Sequence, residues 1–173
     1  MVMDRKGVSP VIATVLLLVL TIVIGGIIFS VVIPFVKDSL GDSRVCLDAL
    51  EGVEFPESKF NCYDITVSTD KKTGFSIKLN KEGIVGFRVA LTDDDGSSDV
   101  YDIKNGITVV SGVRMVGKSS DAPIEFPSVG GQRSYVANKK YMKAELSPIT
   151  VSGEICAVAD VVEFSLCYND VVL

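Results

Sequence analysis

The stretch RKGVSPVIATVLLLVLTIVIGG, residues 5–26, decides the fold of the N-terminal part of this chain. Two cations and a glycine lead directly into an apolar segment, and no charged residue occurs between them and Lys37. The 29 uncharged residues from Val8 to Val36 span about 43 Å as a helix, whereas the apolar core of a bilayer is about 30 Å thick. We therefore predict a long apolar helix that extends to Gly41, where the glycine stops it.

The apolar segment differs from an ordinary secretory signal, which has a shorter core and then a cleavage site of small residues. The C-terminal end of this core, FSVVIPFVKDS at residues 29–39, contains no A-x-A pattern. At the other end, Ser9 can cap a helix and Pro10 fits its first turn, where a missing N–H costs nothing. A helix that starts there would remain well formed if residues 1–7 were removed.

The run KGVSPVIA, residues 6–13, which leads into a helix rich in Leu, Val and Ile, resembles the N-terminus of archaeal type IV pilins. The resemblance implies that residues 1–7 are a leader, read by a prepilin peptidase at Arg5, Lys6 and Gly7 and cut before Val8. It also implies that residues 8–41 first anchor the subunit in the cell membrane and later pack with copies of themselves in an extracellular filament. Bacterial relatives carry glutamate at the position of Ile12, which favours the archaeal branch. Archaeal flagellins share the leader but usually lack Ser-Pro-Val-Ile.

Residues 42–173 are expected to form a β head. Two runs of period 2, residues 75–79 and 85–91, flank Lys81-Glu82-Gly83, and this arrangement predicts a hairpin. Further strands are predicted between turn residues, at 100–104, 107–116, 141–146, 149–158 and 161–168. Since nothing past Leu50 has a helical period, we predict an α+β chain with a long N-terminal hydrophobic helix and an antiparallel all-β head, either a sandwich or a small barrel.

Four cysteines, all beyond the apolar segment, indicate two disulfides and an oxidising exterior; buried free thiols are the alternative. None of them forms a C-x-x-C pair, so zinc or thioredoxin-like chemistry is poorly supported. Alternation along the last two predicted strands places Cys156 and Cys167 on faces that could meet. We therefore predict the pairs Cys156–Cys167 and Cys46–Cys62.

Composition excludes several functions. From Lys37 onward, 15 basic and 21 acidic side chains give a net charge of −6, which argues against nucleic acid as a partner. The chain has no histidine, so it lacks the commonest general base and the commonest zinc ligand. We expect no catalysis and no cofactor.

Two motifs could suggest a ligand. Residues 112–119, GVRMVGKS, fit the phosphate-binding pattern G-x-x-x-x-G-K-[ST], but two prolines occupy the segment where the required helix would begin. Asp93, Asp95 and Asp99 form a weak calcium candidate, because their spacing differs from that of the usual calcium loop. A nucleotide hydrolase is thus a distant third hypothesis.

The sequence therefore predicts a structural subunit of an archaeal type IV pilus that serves adhesion or surface contact. Its partners would be copies of itself, the prepilin peptidase, the pilus assembly machinery and, before assembly, the membrane. The alternative is a single-pass, membrane-anchored extracellular protein whose β head binds a ligand.

Overall fold

The computed structural model describes residues 10–65, 71–106, 109–120, 122–168, 171 and 173, with only the backbone for residues 37–43. The chain divides into two compact units, Met1–Ser43 and Arg44–Leu173. The predicted class is confirmed: a long apolar helix precedes a head built from β-sheets.

Helix α1 (Pro10–Leu50) is 41 residues long and begins at the proline expected in its first turn. The predicted stop at Gly41 is wrong, because the helix continues to Leu50. Its last turns belong to the second unit, where Ala49 is buried and Cys46 and Leu50 pack against the core of the head. This packing compensates for the roughly 1 kcal/mol by which a glycine weakens a helix interior.

Ten strands make up the head. They are β1 (Val53–Glu54), β2 (Cys62–Asp64), β3 (Lys72–Leu79), β4 (Ile84–Thr92), β5 (Ser98–Lys104), β6 (Val113–Met115), β7 (Gln132–Ala137), β8 (Lys143–Thr150), β9 (Asp160–Glu163) and β10 (Ser165–Leu166).

The strands form two sheets. The first has the order β10-β2-β3-β7-β6, with β1 also paired to β3, and the second has the order β5-β4-β8-β9. All pairings between these strands are antiparallel except that of β10 with β2. Among the described residues no strand of one sheet pairs with a strand of the other, so the head is a sandwich and not a closed barrel.

The core lies between the sheets and results from the alternation of apolar residues. Phe87, Val89 and Leu91 of β4 are fully buried, while Arg88 and Ala90 between them face outward and are partly exposed. Phe75 and Ile77 of β3 enter the same core from the other sheet. The period-2 pattern therefore identified the inward faces correctly.

The outer face of the second sheet carries an ion pair between neighbouring strands. Arg88 on β4 donates two hydrogen bonds to Asp102 on β5, from Nε to Oδ1 at 2.7 Å and from Nη2 to Oδ2 at 2.9 Å. Because the two residues are directly opposed in the register of β4 and β5, this pair helps to fix that register.

The predicted hairpin between residues 75–79 and 85–91 is wrong. These runs are β3 and β4, which belong to different sheets. Two strands on opposite sides of a core both turn every second residue inward, just as two paired strands do, so periodicity cannot separate the two cases. Likewise, the predicted strand 107–116 is reduced to β6, which joins the sheet opposite β5; residues 107 and 108 lie outside the described part of the chain.

Strand β3 is buried on both faces, and its outer face is covered by a smaller cluster. Cys62, Val136, Val171 and Leu173 form this cluster, with Phe60 packed against it. Gly74 makes the close packing possible, since a Cβ there would lie 2.4 Å from the carbonyl oxygen of Phe60 and 2.6 Å from Cδ2 of Leu173. Any larger residue would displace the covering segments.

All four cysteines are in disulfides, as predicted, but the pairing differs. The bonds are Cys46–Cys156 and Cys62–Cys167, and neither predicted pair forms. The prediction placed Cys156 and Cys167 on neighbouring strands. Instead, Cys156 lies beyond the end of β8, and Cys167 comes directly after β10, which has crossed to the other sheet.

The disulfide connectivity can be tested directly. Proteolysis of the unreduced protein should release one linked peptide pair containing Cys46 and Cys156, and another containing Cys62 and Cys167, both visible by mass spectrometry. A linked pair containing Cys46 and Cys62 would contradict the fold described here.

The double substitution Cys62→Ala/Cys167→Ala should lower the free energy of unfolding of the full chain in detergent. The bond closes a loop of sequence separation 105, for which loop-closure entropy gives about 4–5 kcal/mol as an upper bound. The loss should be smaller than this, because Cys46–Cys156 still restricts the unfolded chain. Urea titration with circular dichroism as the readout measures it, and unchanged stability would refute the argument.

Candidate functional site

The apolar part of helix α1, Pro10–Val36, is the surface of this molecule that most needs a partner. It is long and apolar enough to cross a membrane, and its most apolar window is not buried within the chain. The exposure of its large apolar side chains ranges from 43% at Ile33 to 71% at Phe35. A helix that is hydrophobic on every side is covered by lipid or by protein in its working state.

The few polar side chains of this segment are satisfied within the helix itself. The hydroxyls of Thr14, Thr21 and Ser30 donate to the carbonyl oxygens of the residues three positions earlier, at 2.8–2.9 Å. A buried hydroxyl without a partner would oppose transfer into an apolar medium, and these bonds remove that penalty. The hydroxyls of this segment therefore do not oppose its transfer into lipid or into a bundle of helices. These bonds were not predicted from the sequence, although the residue types at these positions allow them.

Small residues occur in the middle of this segment. A Cβ atom built on Gly25 or Gly26 meets no other heavy atom within 4 Å, so the lone chain does not require glycine there for steric reasons. The spacing of Thr21 with Gly25 and of Gly26 with Ser30 is the small-xxx-small pattern that lets helix backbones approach closely.

The residues expected to be read during processing, Arg5, Lys6, Gly7 and Val8, and the expected cap Ser9 lie outside the described residues. Pro10 is the first described residue and opens the helix. The processing site remains a prediction from sequence.

Of the aspartates proposed for calcium, Asp93 and Asp95 lie in the turn between β4 and β5 and Asp99 lies on β5, and lysines form ion pairs with two of them, Asp93 and Asp99. Lys139 Nζ lies 2.7 Å from Asp93 Oδ2 and 3.3 Å from Asp99 Oδ2, and Lys140 Nζ lies 2.9 Å from Asp94 Oδ2. The three carboxylates that lie close together are those of Asp93, Asp94 and Asp95, a set that does not include Asp99.

The arrangement is that of an ion-paired turn, because lysine side chains already occupy two of the three clustered carboxylates, those of Asp93 and Asp94. The two lysines could not be predicted as partners, because they are adjacent to each other in the chain but distant from the turn.

A hydrogen-bond chain links this turn to the core. The hydroxyl of the fully buried Tyr141 donates to Asp99 at 2.7 Å and lies 3.0 Å from the hydroxyl of Tyr101. Burial, and to a smaller extent these hydrogen bonds, raises the pKa of Tyr141 well above its ordinary value. The same bond from Tyr141, together with Lys139, lowers the pKa of Asp99. Hydrogen bonds from Lys139 and Lys140 lower the pKa of Asp93 and Asp94 respectively.

The segment that matches the nucleotide-binding pattern lacks the geometry of such a loop. Val113–Met115 is strand β6, so the residues that would wrap a phosphate are extended and paired with β7. Beyond Lys118, the described residues as far as Gln132 form no helix whose N-terminus could face a phosphate. The match with the motif is therefore not supported as a nucleotide site.

Comparison with known proteins adds no family. A search against protein-family models finds no match, and a search of curated proteins finds no significantly similar sequence. The helix able to cross a membrane and the two disulfides indicate a membrane or extracellular location.

The ion-paired turn makes stability depend on pH in a direction set by the pKa shifts. The folded carboxylates of Asp93, Asp94 and Asp99 have pKa values below the ordinary 3.8, so in acid the unfolded chain binds more protons. Their contribution is present above about pH 3.8 and should be lost as the pH falls from that value through the folded pKa values.

Lys139→Gln should make this acid loss shallower, because Asp93 and Asp99 would regain more ordinary pKa values. Thermal unfolding at a series of acidic pH values measures the effect, with Lys59→Gln as the control for removing one charge elsewhere. Identical acid profiles for the three proteins would disprove the role of the turn.

Proposed function

We propose that this chain is a structural subunit of an archaeal type IV pilus, cut before Val8 and polymerised through its N-terminal helix. The β head would then be displayed on the outside of the filament for adhesion or surface contact. The resemblance of residues 6–13 to the archaeal pilin N-terminus motivates the proposal.

The observation that carries the proposal is the apolar circumference of α1 between Pro10 and Val36. A membrane anchor needs only about 20 apolar residues, and this segment is longer. Its hydroxyls bond to its own backbone, so copies of the helix can pack together without leaving a polar group unsatisfied. Such a helix can lie in the membrane before assembly and can pack in the core of a filament afterwards.

The exchange of lipid for neighbouring helices is plausible energetically. Apolar side chains gain little on leaving lipid for other apolar side chains, so the two environments are nearly equivalent in hydrophobic terms. The filament is then favoured over lipid by two things: helices pack closely at Gly25 and Gly26, and each helix has many neighbouring helices in a filament. Assembly would require no refolding of the head.

The head suits an exposed position. Two disulfides tie its beginning to its end, and both suit an oxidising exterior. Its acidic balance keeps copies soluble when many are displayed side by side.

The first test is mass spectrometry of the N-terminal peptide from filaments sheared off the source cells. We expect a peptide that starts at Val8 in a fraction that pellets as filaments. The substitution Gly7→Val should leave residues 1–7 attached and abolish filaments, while Asp4→Asn, also in the leader, should be processed normally. Chains found only in membranes with residues 1–7 attached would reject the pilus and favour the single-pass binding protein.

A second test separates assembly from anchoring. Gly26→Leu adds apolar surface and should keep the chain in the membrane, since the lone helix has open space at this position. It should hinder close helix packing and reduce filament yield by about tenfold or more. Val23→Leu is the matched control and should assemble normally. Equal filament yields for the two variants would count against packing through the glycines.

A further inference from the structure

We propose that a cationic pocket on the outer face of the first sheet binds the acidic groups of a surface glycan. The pocket has a volume of about 610 Å³, and Lys72, Arg114, Lys118, Ser119, Ser120 and Asn138 contribute to its lining. All of them belong to the head. Adhesion through this pocket rests on the proposed function, whereas ligand binding by the pocket does not.

Three neighbouring strands bring the lining residues together. Ala137 of β7 pairs with Thr73 of β3 on one side and with Val113 of β6 on the other. Lys72 and Asn138 lie next to each other on one side of this row, whereas Arg114 pairs with Val136 on its other side and is therefore diagonal to Asn138. Directly opposed or diagonal residues on paired strands have Cβ atoms within about 8 Å of each other. A single small ligand can therefore reach several of these side chains.

The guanidinium of Arg114 is held in place by the turn after β6. Its Nη1 donates to the carbonyl oxygen of Lys118 at 3.1 Å and, more weakly, to that of Met115 at 3.4 Å. The turn itself is closed by a bond from the N–H of Lys118 to the carbonyl oxygen of Met115 at 3.1 Å, and Gly117 supplies the positive φ of 72°. An arginine fixed in this way loses less conformational freedom when it binds an anion.

Ion pairing differs between this pocket and much of the rest of the head. Many cations among the described residues form ion pairs with carboxylates, among them Lys78, Lys81, Arg88, Lys104, Arg133, Lys139, Lys140 and Lys143. Arg114 and Lys118 form no ion pair with any residue in the described ranges. Two cations that line one pocket and have no carboxylate partner among the described residues create a local attraction for an anion.

The neutral lining residues favour a sugar over a free ion. The amide of Asn138 and the hydroxyls of Ser119 and Ser120 can donate to and accept from sugar hydroxyls. The cavity volume lies within the range of about 300–1,000 Å³ typical of small-molecule sites, which exceeds the need of one oxyanion. Arginine can bind a carboxylate or sulfate group through two parallel hydrogen bonds.

Nucleic acid is a poorer match, because it needs cations along an extended path. The head as a whole is acidic, with 15 basic and 21 acidic side chains from Lys37 onward. A short acidic oligosaccharide that places one or two charged groups in the pocket avoids most of this repulsion.

The test measures binding of a fluorescent tetragalacturonate to the full chain in neutral detergent, with fluorescence anisotropy as the readout. Uncharged cellotetraose, inorganic sulfate and a short single-stranded DNA serve as comparison ligands. We expect saturable binding of the tetragalacturonate that weakens as salt is added. Arg114→Gln/Lys118→Gln should weaken the affinity by about tenfold or more, since it removes two charged hydrogen-bond donors from the pocket.

The matched control is Arg44→Gln/Lys59→Gln, which removes the same charge from two cations that also form no ion pair with described residues. Its affinity should stay within about twofold of that of the unmodified chain, a change of about 0.4 kcal/mol. Both double variants are first checked for an unchanged melting temperature. Should Arg114→Gln/Lys118→Gln melt early, the single variant Lys118→Gln replaces it.

Several results would overturn the inference: no binding, equal loss in both double variants, equal affinity for cellotetraose, equal affinity for free sulfate, or tighter binding of DNA. The pilus proposal can fail separately. If no filaments exist but the detergent-solubilised chain binds tetragalacturonate as expected, the site stands and its use in a pilus is rejected. If filaments form normally from Arg114→Gln/Lys118→Gln and bind tetragalacturonate normally, the site is rejected and the pilus stands.

Discussion

A helix without a polar face constrains this whole molecule. The segment Pro10–Val36 exposes apolar side chains around its entire circumference, and the head has its own filled core. Leaving that surface in water would cost on the order of 1.5–3 kcal/mol for each large apolar side chain. The chain therefore needs an external partner, and its function depends on whether lipid, other helices or each in turn covers the helix.

The head meets a different demand, which is to hold two packed sheets together. Its two disulfides both connect the beginning of the head to its end, with sequence separations of 110 and 105. Bonds of this kind remove more conformational freedom from the unfolded chain than bonds between near neighbours. Cys46–Cys156 also fixes the last turns of α1 to the head, while Cys62–Cys167 holds the small cluster over β3.

The sequence was enough to predict the class of fold, but it could not predict which strands lie next to each other. Alternation in 85–91 identified the buried face of β4, because burial has period 2 whatever the partner strand. The same signal cannot tell whether β3 pairs with β4 or faces it across the core, which is why the predicted hairpin is wrong. The disulfide pairing is wrong because Cys156 lies beyond the end of β8 and Cys167 follows β10, which belongs to the other sheet. The glycine signal at Gly41 failed because packing of Cys46 and Ala49 overrode a local propensity. Ion pairs such as that of Lys139 with Asp93 depend on the order of the strands, so they could not be predicted from the sequence.

The segment 112–119 matches a nucleotide-binding pattern in sequence but forms a different structure. Its glycines suggested a loop around a phosphate, yet Gly117 serves a tight turn after β6, with φ at 72°. That turn nevertheless places Lys118 beside Arg114 in the lining of one pocket, and neither side chain is ion-paired with a described residue. This surface is distinguished by its positive charge. The fold brings the cations of β3, of β6 and of the turn after β6 together, whereas the phosphate-binding motif does not form. In the proposed filament the head and this pocket would be repeated many times, and weak binding at each copy would then add up to firm attachment.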